Sequence, residues 1–128
     1  MDDSVKVLTS PWYMLELRAL PRDHQDQIQR KLIAFAAKGW SAAMADQTVK
    51  HLQDGIYELR VLAHGPAFRL LFFVVPGRRP RLIVVTTCAA KSLTLKRRLL
   101  DAEIRRAKGR RTAWMENDKK DEEGTDER

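Results

Sequence analysis

The chain lacks the features that mark several common classes of protein. It holds one cysteine, Cys88, so no internal disulfide is possible. Its three histidines, His24, His51 and His64, lack the spacing of metal ligands, and we expect no metal site. No phosphate-binding P-loop or Gly-rich dinucleotide fingerprint occurs. The sequence therefore predicts a protein that works without a metal or a nucleotide cofactor.

Long apolar runs are missing as well. No segment approaches the roughly 20 apolar residues that a membrane helix needs. The first residues, Met1 to Ser4, are acidic, whereas a signal peptide begins with basic residues. We therefore expect a cytoplasmic protein with no membrane partner. At 128 residues the chain is long enough for one domain with its own core.

Positive charge is what the chain has in excess. Lys and Arg number 24 against 17 Asp and Glu, a net charge of +7. Residues 118–128 hold six acids and three bases, so the rest of the chain carries +10. A body with this charge attracts polyanions, which favours nucleic acid or a ribonucleoprotein as the partner.

Hydrophobic periodicity predicts a small α+β domain with a twisted, mainly antiparallel sheet. An N-terminal helical hairpin is expected to pack on the sheet, with a basic helix at the C-terminal end. The domain is expected to span residues 1–116, and the charged segment 117–128 is expected to be a disordered tail. The predicted elements are a strand over 5–8, helices up to about 20 and over 23–38, a turn of helix at 42–44, strands over 49–52, 56–62, 68–75 and 82–85, and a helix from about 92 to 111.

Two arginines, Arg60 and Arg69, lie among apolar residues on consecutive predicted strands. A buried guanidinium needs a carboxylate or a phosphate, because removing it from water alone costs several kcal/mol as an order of magnitude. Arg60 can pair with Glu58, since residues two apart on a strand share a face. Arg69 is either a structural ion pair or part of an anion site. The sequence leaves both alternatives open.

Three spaced segments of the chain resemble a known family. They are His51-Leu52-x-x-Gly55-Ile56-Tyr57-Glu58-Leu59-Arg60, then Gly65-x-x-Phe68-Arg69-Leu70-Leu71-Phe72-Phe73, and a Lys/Arg-rich helix with Ala102-Glu103-Ile104-x-x-Ala107. With them, about residues 5–115 resemble the RelE superfamily of toxins, in its HigB-like, phage-derived branch of type II toxin–antitoxin systems. The resemblance implies a RelE-like fold and a metal-independent endoribonuclease that cuts messenger RNA on the ribosome. It also implies a cognate helix-turn-helix (HigA-like) antitoxin as a partner.

The resemblance also implies which residues act. Arg69 matches the arginine that grips the scissile phosphate, Arg60 faces the same site, and Lys91 assists proton transfer at its mouth. Arginine suits this role because it holds two phosphate oxygens at once. The residues expected to contact RNA or the ribosome are Lys96, Arg97, Arg98, Arg105 and Trp114, the last by stacking on a base.

The chain also departs from the family pattern. Thr86, Thr87 and Cys88 stand where relatives often carry a pair of lysines, and no tyrosine or histidine follows near the C-terminus. Two alternatives therefore stay open. One is a non-catalytic RNA- or ribosome-binding protein on the same scaffold. The other is a ParE-like poison of gyrase, because one fold can host several activities.

Overall fold

Five strands form one mixed sheet with helices on both faces in a computed structural model that describes residues 3–63, 65–91 and 97–126. The strand order is β1-β5-β4-β3-β2, with β1 parallel to β5 and the other neighbours antiparallel. The α+β class and the mainly antiparallel sheet are thereby confirmed. The elements are β1 (Val5–Thr9), α1 (Pro11–Arg18), α2 (Arg22–Lys38), α3 (Trp40–Ala45), β2 (Val49–Gln53), β3 (Ile56–Leu62), β4 (Ala67–Val75), β5 (Arg81–Lys91) and α4 (Arg97–Asp126).

The turn from β1 into α1 is fixed by Ser10. Its side-chain Oγ accepts a hydrogen bond from the backbone N–H of Tyr13 at 3.2 Å, and Pro11 occupies the first turn. Serine is a favoured N-cap because it satisfies a backbone donor that has no partner within the helix. The backbone N–H of Ser10 donates to Val85 O at 3.0 Å, so α1 begins against β5.

Gly39 separates α2 from α3. Its backbone φ of +93° is a value that residues with a side chain rarely adopt. A Cβ atom at this position would lie 2.8 Å from Oδ2 of Asp3. The next residue, Trp40, donates its backbone N–H to Asp3 O at 3.1 Å. The N-terminal segment therefore holds the α2–α3 junction. At its other end α2 is preceded by Pro21 as N-cap, and Asp23 lies in the first turn.

The sheet separates two apolar cores. On one face, α1, α2 and α3 pack on residues such as Leu59, Leu70 and Phe72. On the other face, Ile104 and Ala107 of α4 pack on the opposite side of β3, β4 and β5. The alternation of apolar side chains along β4 places one set in each core, as expected for a strand covered on both faces.

Two elements are longer than the sequence predicts. Strand β5 continues six residues beyond Val85 because a bulge at Thr86 restores its pairing: Phe72 pairs with Val85, whereas Leu71 pairs with Thr87. Helix α4 continues to Asp126, so a helix lies where the sequence predicts a disordered tail. Contacts support this extension, since Trp114 packs on Phe73 and Asp118 pairs with Arg78 at 3.3 Å.

Candidate functional site

Arg60 and Arg69 lie opposite each other on β3 and β4, on the face that α4 covers. Their Cα atoms are register partners, and Glu58 pairs with Leu71 one step along the same face. Diagonal neighbours on paired strands are within reach of long side chains. Glu58 therefore lies beside both guanidinium groups.

The glutamate joins the two arginines by short charge-assisted hydrogen bonds. Nε of Arg60 donates to Oε1 of Glu58 at 2.6 Å, and Nε of Arg69 donates to Oε2 at 2.7 Å. Arg69 also donates from Nη1 to Oε2 of Glu103 on α4, at 2.9 Å. Arg60, Glu58, Arg69 and Glu103 thus alternate in charge, and we refer to these four residues as the ion-pair chain.

Burial differs sharply along the ion-pair chain. The exposed fraction of the side chain is 2% for Glu58 and 3% for Arg69, 14% for Glu103 and 55% for Arg60. Charges as buried as Glu58 and Arg69 are tolerated only when paired and hydrogen-bonded. Within the described part of the chain, every buried side-chain nitrogen and oxygen has a hydrogen-bond partner. Arg60 is accordingly the most exposed member of the ion-pair chain.

Arg60 lies near the end of the sheet at which β3 finishes, β4 begins and β5 finishes. Leu62, the last residue of β3, is 79% exposed. Ala67 opens β4 and pairs with Lys91, the last residue of β5, while Arg69 pairs with Ala89. The backbone of Lys91 therefore lies two residues along β5 from the position opposite Arg69. We refer to this end as the open end of the sheet.

Helix α4 runs across the sheet from the open end. Glu103 contacts Arg69, whereas Trp114 packs on Phe73 further along β4. The helix therefore begins near the open end, where Arg97 and Arg98 are its first two residues. Lys96 and His64 lie outside the described residues, and Arg105 is exposed on the helix surface.

Trp114 lies away from the arginines. Its ring packs edge-on against Phe73, with centroids 5.7 Å apart, in the core beneath α4. Phe73 is four residues from Arg69 along β4, a distance of about 13 Å at the rise of a strand. The structure brings Arg60 and Arg69 together and places Lys91 near them by register, but it does not bring Trp114 to this group.

Three bases of α4 attach the helix to the rest of the domain. Lys108 Nζ pairs with Asp54 Oδ2 at 2.7 Å, and Arg111 donates to the backbone oxygen of Asp54 at 2.6 Å. The hydrogen bond from Lys108 is the main reason that the pKa of Asp54 lies below its usual range. Two bases of this helix therefore hold it on the turn between β2 and β3.

Arg110 makes a second attachment, at the bulge of β5. It donates to Glu16 Oε1 at 2.9 Å, to the backbone oxygen of Thr86 at 2.8 Å and to Oγ1 of Thr87 at 3.2 Å. Glu16 Oε1 also accepts the backbone N–H of Cys88 at 3.1 Å. Beyond the last residue of β1, side chains of α1 and α4 thus satisfy backbone groups at the edge of β5.

Cys88 is a core residue. Its side chain is buried beneath α1 and α2, in the same cluster as Tyr13. Burial, with a smaller contribution from the Glu16 carboxylate, raises the pKa of the Cys88 thiol to about 12. A thiol that stays protonated is a poor nucleophile, so this cysteine belongs to the core and not to a reactive site.

Glu16, Asp54 and Glu103 are the residues that sequence reasoning missed. A signal exists for Glu103, which follows Leu100 by three residues and precedes Ala107 by four, so it lies on the apolar stripe of the helix. An acid on a buried stripe indicates a buried cation opposite it. For Asp54 and Glu16 the contacts depend on how α4 crosses the sheet, which local sequence does not indicate.

Residues 3–63, 65–91 and 97–126 contain no group of three His, Cys, Asp or Glu side chains that could hold a metal ion. Across the same ranges, no helix combines the length and the apolar character needed to cross a bilayer.

The fold and the open end of its sheet define a class: a small basic α+β domain that presents an arginine, held by a buried carboxylate, at the end of a mixed sheet. The chain belongs to the family described as phage-derived protein Gp49-like, whose model matches residues 15–112. This is a RelE-like family associated with toxin–antitoxin systems. The match runs from within α1 to within α4 and includes the whole ion-pair chain. No curated protein and no solved structure matches the chain.

Proposed function

We propose that this protein is the toxin of a type II toxin–antitoxin system, of the HigB-like branch, and that it cuts messenger RNA on the ribosome. Membership of the Gp49-like family is compatible with a toxin that has nuclease activity. The observation that carries the proposal is the position of Arg60. Its guanidinium is 55% exposed and is tied through Nε to a buried carboxylate, at an end of the sheet where a basic helix begins.

The chemistry of the proposed reaction suits such a group. In metal-free RNA cleavage the 2′-oxygen attacks phosphorus while the 5′-oxygen leaves, and negative charge builds on the phosphate oxygens. A fixed guanidinium stabilises that charge more in the transition state than in the ground state. In the proposed site Arg60 binds the scissile phosphate. Lys91, which ends β5 at the same end of the sheet, assists proton transfer.

The proposed partners follow from charge and from family. The net charge of +7 favours approach to ribosomal RNA, which is strongly anionic. Arg105 on the exposed surface of α4 and Arg97 and Arg98 at its start are proposed contacts, together with Lys96. A helix-turn-helix antitoxin is the proposed cognate inhibitor, as in other toxin–antitoxin pairs.

The burial of Arg69 favours a second candidate function. Arg69, the residue that matches the phosphate-binding arginine of the family, is 3% exposed and bonded to two carboxylates. A site with fewer reachable cations supplies less transition-state stabilisation. The alternative is therefore an RNA- or ribosome-binding protein on the same scaffold that does not cut RNA.

Inducible expression in bacterial cells, followed by mapping of messenger RNA ends, tests the proposal. A ribosome-dependent endonuclease arrests translation and leaves new 5′ ends within translated messages, and the cuts are absent when ribosomes are removed in a cell-free assay. Arrest of translation without new ends indicates the binding protein. Stalled DNA replication with continuing translation indicates a gyrase poison. If growth, translation and replication all remain unchanged, the toxin proposal is wrong.

A further inference from the structure

Arg69 offers almost no side-chain surface to a phosphate. Its Nε and Nη1 already donate to Glu58 and Glu103, and the side chain is 3% exposed. A phosphate could reach it only if α4 moved away from β4. Contacts on both sides of the helix oppose that movement, from Arg110 to Glu16 and from Lys108 to Asp54.

Arg60 has the opposite properties. Its Nε is bonded to Oε1 of Glu58, which fixes the side chain along the sheet surface. Among the described residues, Nη1 and Nη2 donate no hydrogen bond, so this edge of the guanidinium stays available to an anion. A free arginine side chain samples many rotamers, so one that is fixed in advance loses less freedom when it binds.

We infer that Glu58 is the positioning residue for Arg60, with Arg69 and Glu103 acting behind it, and that Arg60 alone of the four contacts RNA. Rather than gripping a phosphate, Arg69 holds Glu58 in the orientation that presents Arg60. The alternation of charge explains why four residues are needed. Buried Glu58 requires a second cation besides the exposed Arg60, and buried Arg69 then requires a second acid. This inference rests on the proposed function, since it assigns roles within the same RNA site.

Salt dependence of RNA binding separates direct contact from positioning. For a single-stranded oligonucleotide, each phosphate that a protein neutralises adds about 0.7 to the slope of log affinity against log salt. Arg60→Gln is expected to reduce the slope by about 0.7. The double variant Arg69→Met/Glu103→Gln removes one charge of each sign, so it keeps the net charge and is expected to keep the slope.

Glu58→Gln tests the positioning role directly. The variant is more cationic than the native protein, which by itself would strengthen RNA binding. If Glu58 orients Arg60, binding instead weakens by about 2- to 10-fold, the effect of releasing one long side chain, while the slope is retained. Unchanged or tighter binding would remove Glu58 from the role.

Arginine Nε–Hε signals in nuclear magnetic resonance spectra provide a readout on the native chain that needs no variant to fold. Saturation with the oligonucleotide is expected to shift the Arg60 signal and to leave the Arg69 signal in place. The inference is overturned if the Arg69 signal shifts as strongly as that of Arg60, or if the double variant loses as much slope as Arg60→Gln.

Inorganic pyrophosphate makes the two possible failures distinguishable. If the native protein binds no RNA, the proposed function fails, and pyrophosphate then tests the anion site on the same two signals. A shift confined to Arg60 supports its role as the anion-contacting member of the ion-pair chain. A shift of Arg69, or of neither arginine, overturns it.

Discussion

Oε2 of Glu58 lies 2.7 Å from Nε of Arg69, and both side chains are almost completely buried, at 2% and 3% exposure. This pair explains how the Arg69 guanidinium can be buried in an apolar sheet. The other carboxylate oxygen of Glu58 remains available to orient Arg60 at the surface. The stability of the fold and the proposed contact of Arg60 with RNA therefore both depend on the carboxylate of Glu58.

Removing one member of the buried pair is expected to destabilise the fold strongly. Arg69→Met leaves Glu58 and Glu103 without their shared cation, and breaking a buried pair in this way costs about 3–5 kcal/mol of unfolding free energy. Adding Glu103→Gln to Arg69→Met should recover part of the loss, with a coupling of about 0.5–3 kcal/mol. Urea denaturation of the single and double variants measures both quantities.

The matched control for that experiment is Arg60→Gln. The Arg60 side chain in its pair with Glu58 is 55% exposed, so solvent screens this charge, and the loss should stay within about 1 kcal/mol. An Arg69→Met variant as stable as the native chain would contradict the role given to the buried pair.

Arg60 is expected to contribute strongly to activity and little to the stability of the fold. In the proposed nuclease, Arg60→Gln removes the guanidinium that meets the scissile phosphate and should lower kcat/KM for ribosome-bound message by about 10²- to 10³-fold, as for loss of one oxyanion donor. Quantifying cleaved message by primer extension measures this change.

Arg79→Gln is the matched control, because Arg79 lies in the exposed turn between β4 and β5, at the other end of these strands. The same charge is lost there, so general attraction to RNA falls equally in both variants. Equal loss of activity in the two would indicate that Arg60 contributes only net charge.

The sequence predicts the strands of the sheet and one part of the ion-pair chain. Alternation of Tyr57, Leu59 and Val61 with Glu58 and Arg60 identifies β3 and its faces. It also offers the Arg60–Glu58 pair as an alternative, which the structure confirms at 2.6 Å. Both features depend on residues two apart in the chain, where the geometry of a strand alone fixes which side chains meet.

The remaining contacts depend on how distant elements lie. Glu103 meets Arg69 because α4 crosses β4, and the two residues are 34 positions apart. Arg110 and Glu16 are 94 positions apart. No local pattern specifies which residues pair across these distances. The sequence alone therefore indicates that the basic helix α4 is an RNA-binding surface, whereas several of its bases attach the helix to the rest of the domain.

Arg110 is expected to stabilise the edge of β5. Arg110→Ala removes the donor that Arg110 supplies to the Thr86 carbonyl and leaves Glu16 with the Cys88 amide as its remaining donor. A hydrogen bond to a charged group contributes about 1.5–3 kcal/mol relative to a bond with water. We expect a loss of this size in unfolding free energy, with faster hydrogen exchange at the Cys88 amide as Glu16 loosens. Denaturation and amide exchange measure the two effects.

The control for Arg110 is Arg106→Ala, on the exposed surface of the same helix, which should change stability by no more than about 0.5 kcal/mol. A similar loss in both variants would show that helix charge or propensity, and not the contact with Glu16, is responsible.

The thiol of Cys88 predicts the response of the protein to alkaline pH. Its pKa is raised from 9.0 to about 12 in the fold, so the unfolded chain releases this proton at a lower pH than the folded chain does. Raising the pH from about 9 to about 12 therefore favours unfolding. Burial also raises the pKa of Tyr13, which acts in the same direction.

We expect Cys88→Ala to flatten the decline of unfolding free energy over this range, even if its stability at neutral pH is lower. Denaturation at a series of pH values measures the slope, and thiol alkylation should be slow in the folded protein and fast in urea. An identical slope in Cys88→Ala and the native chain would show that the thiol ionises to the same extent in the folded and unfolded states. That result would contradict the raised pKa of the buried thiol.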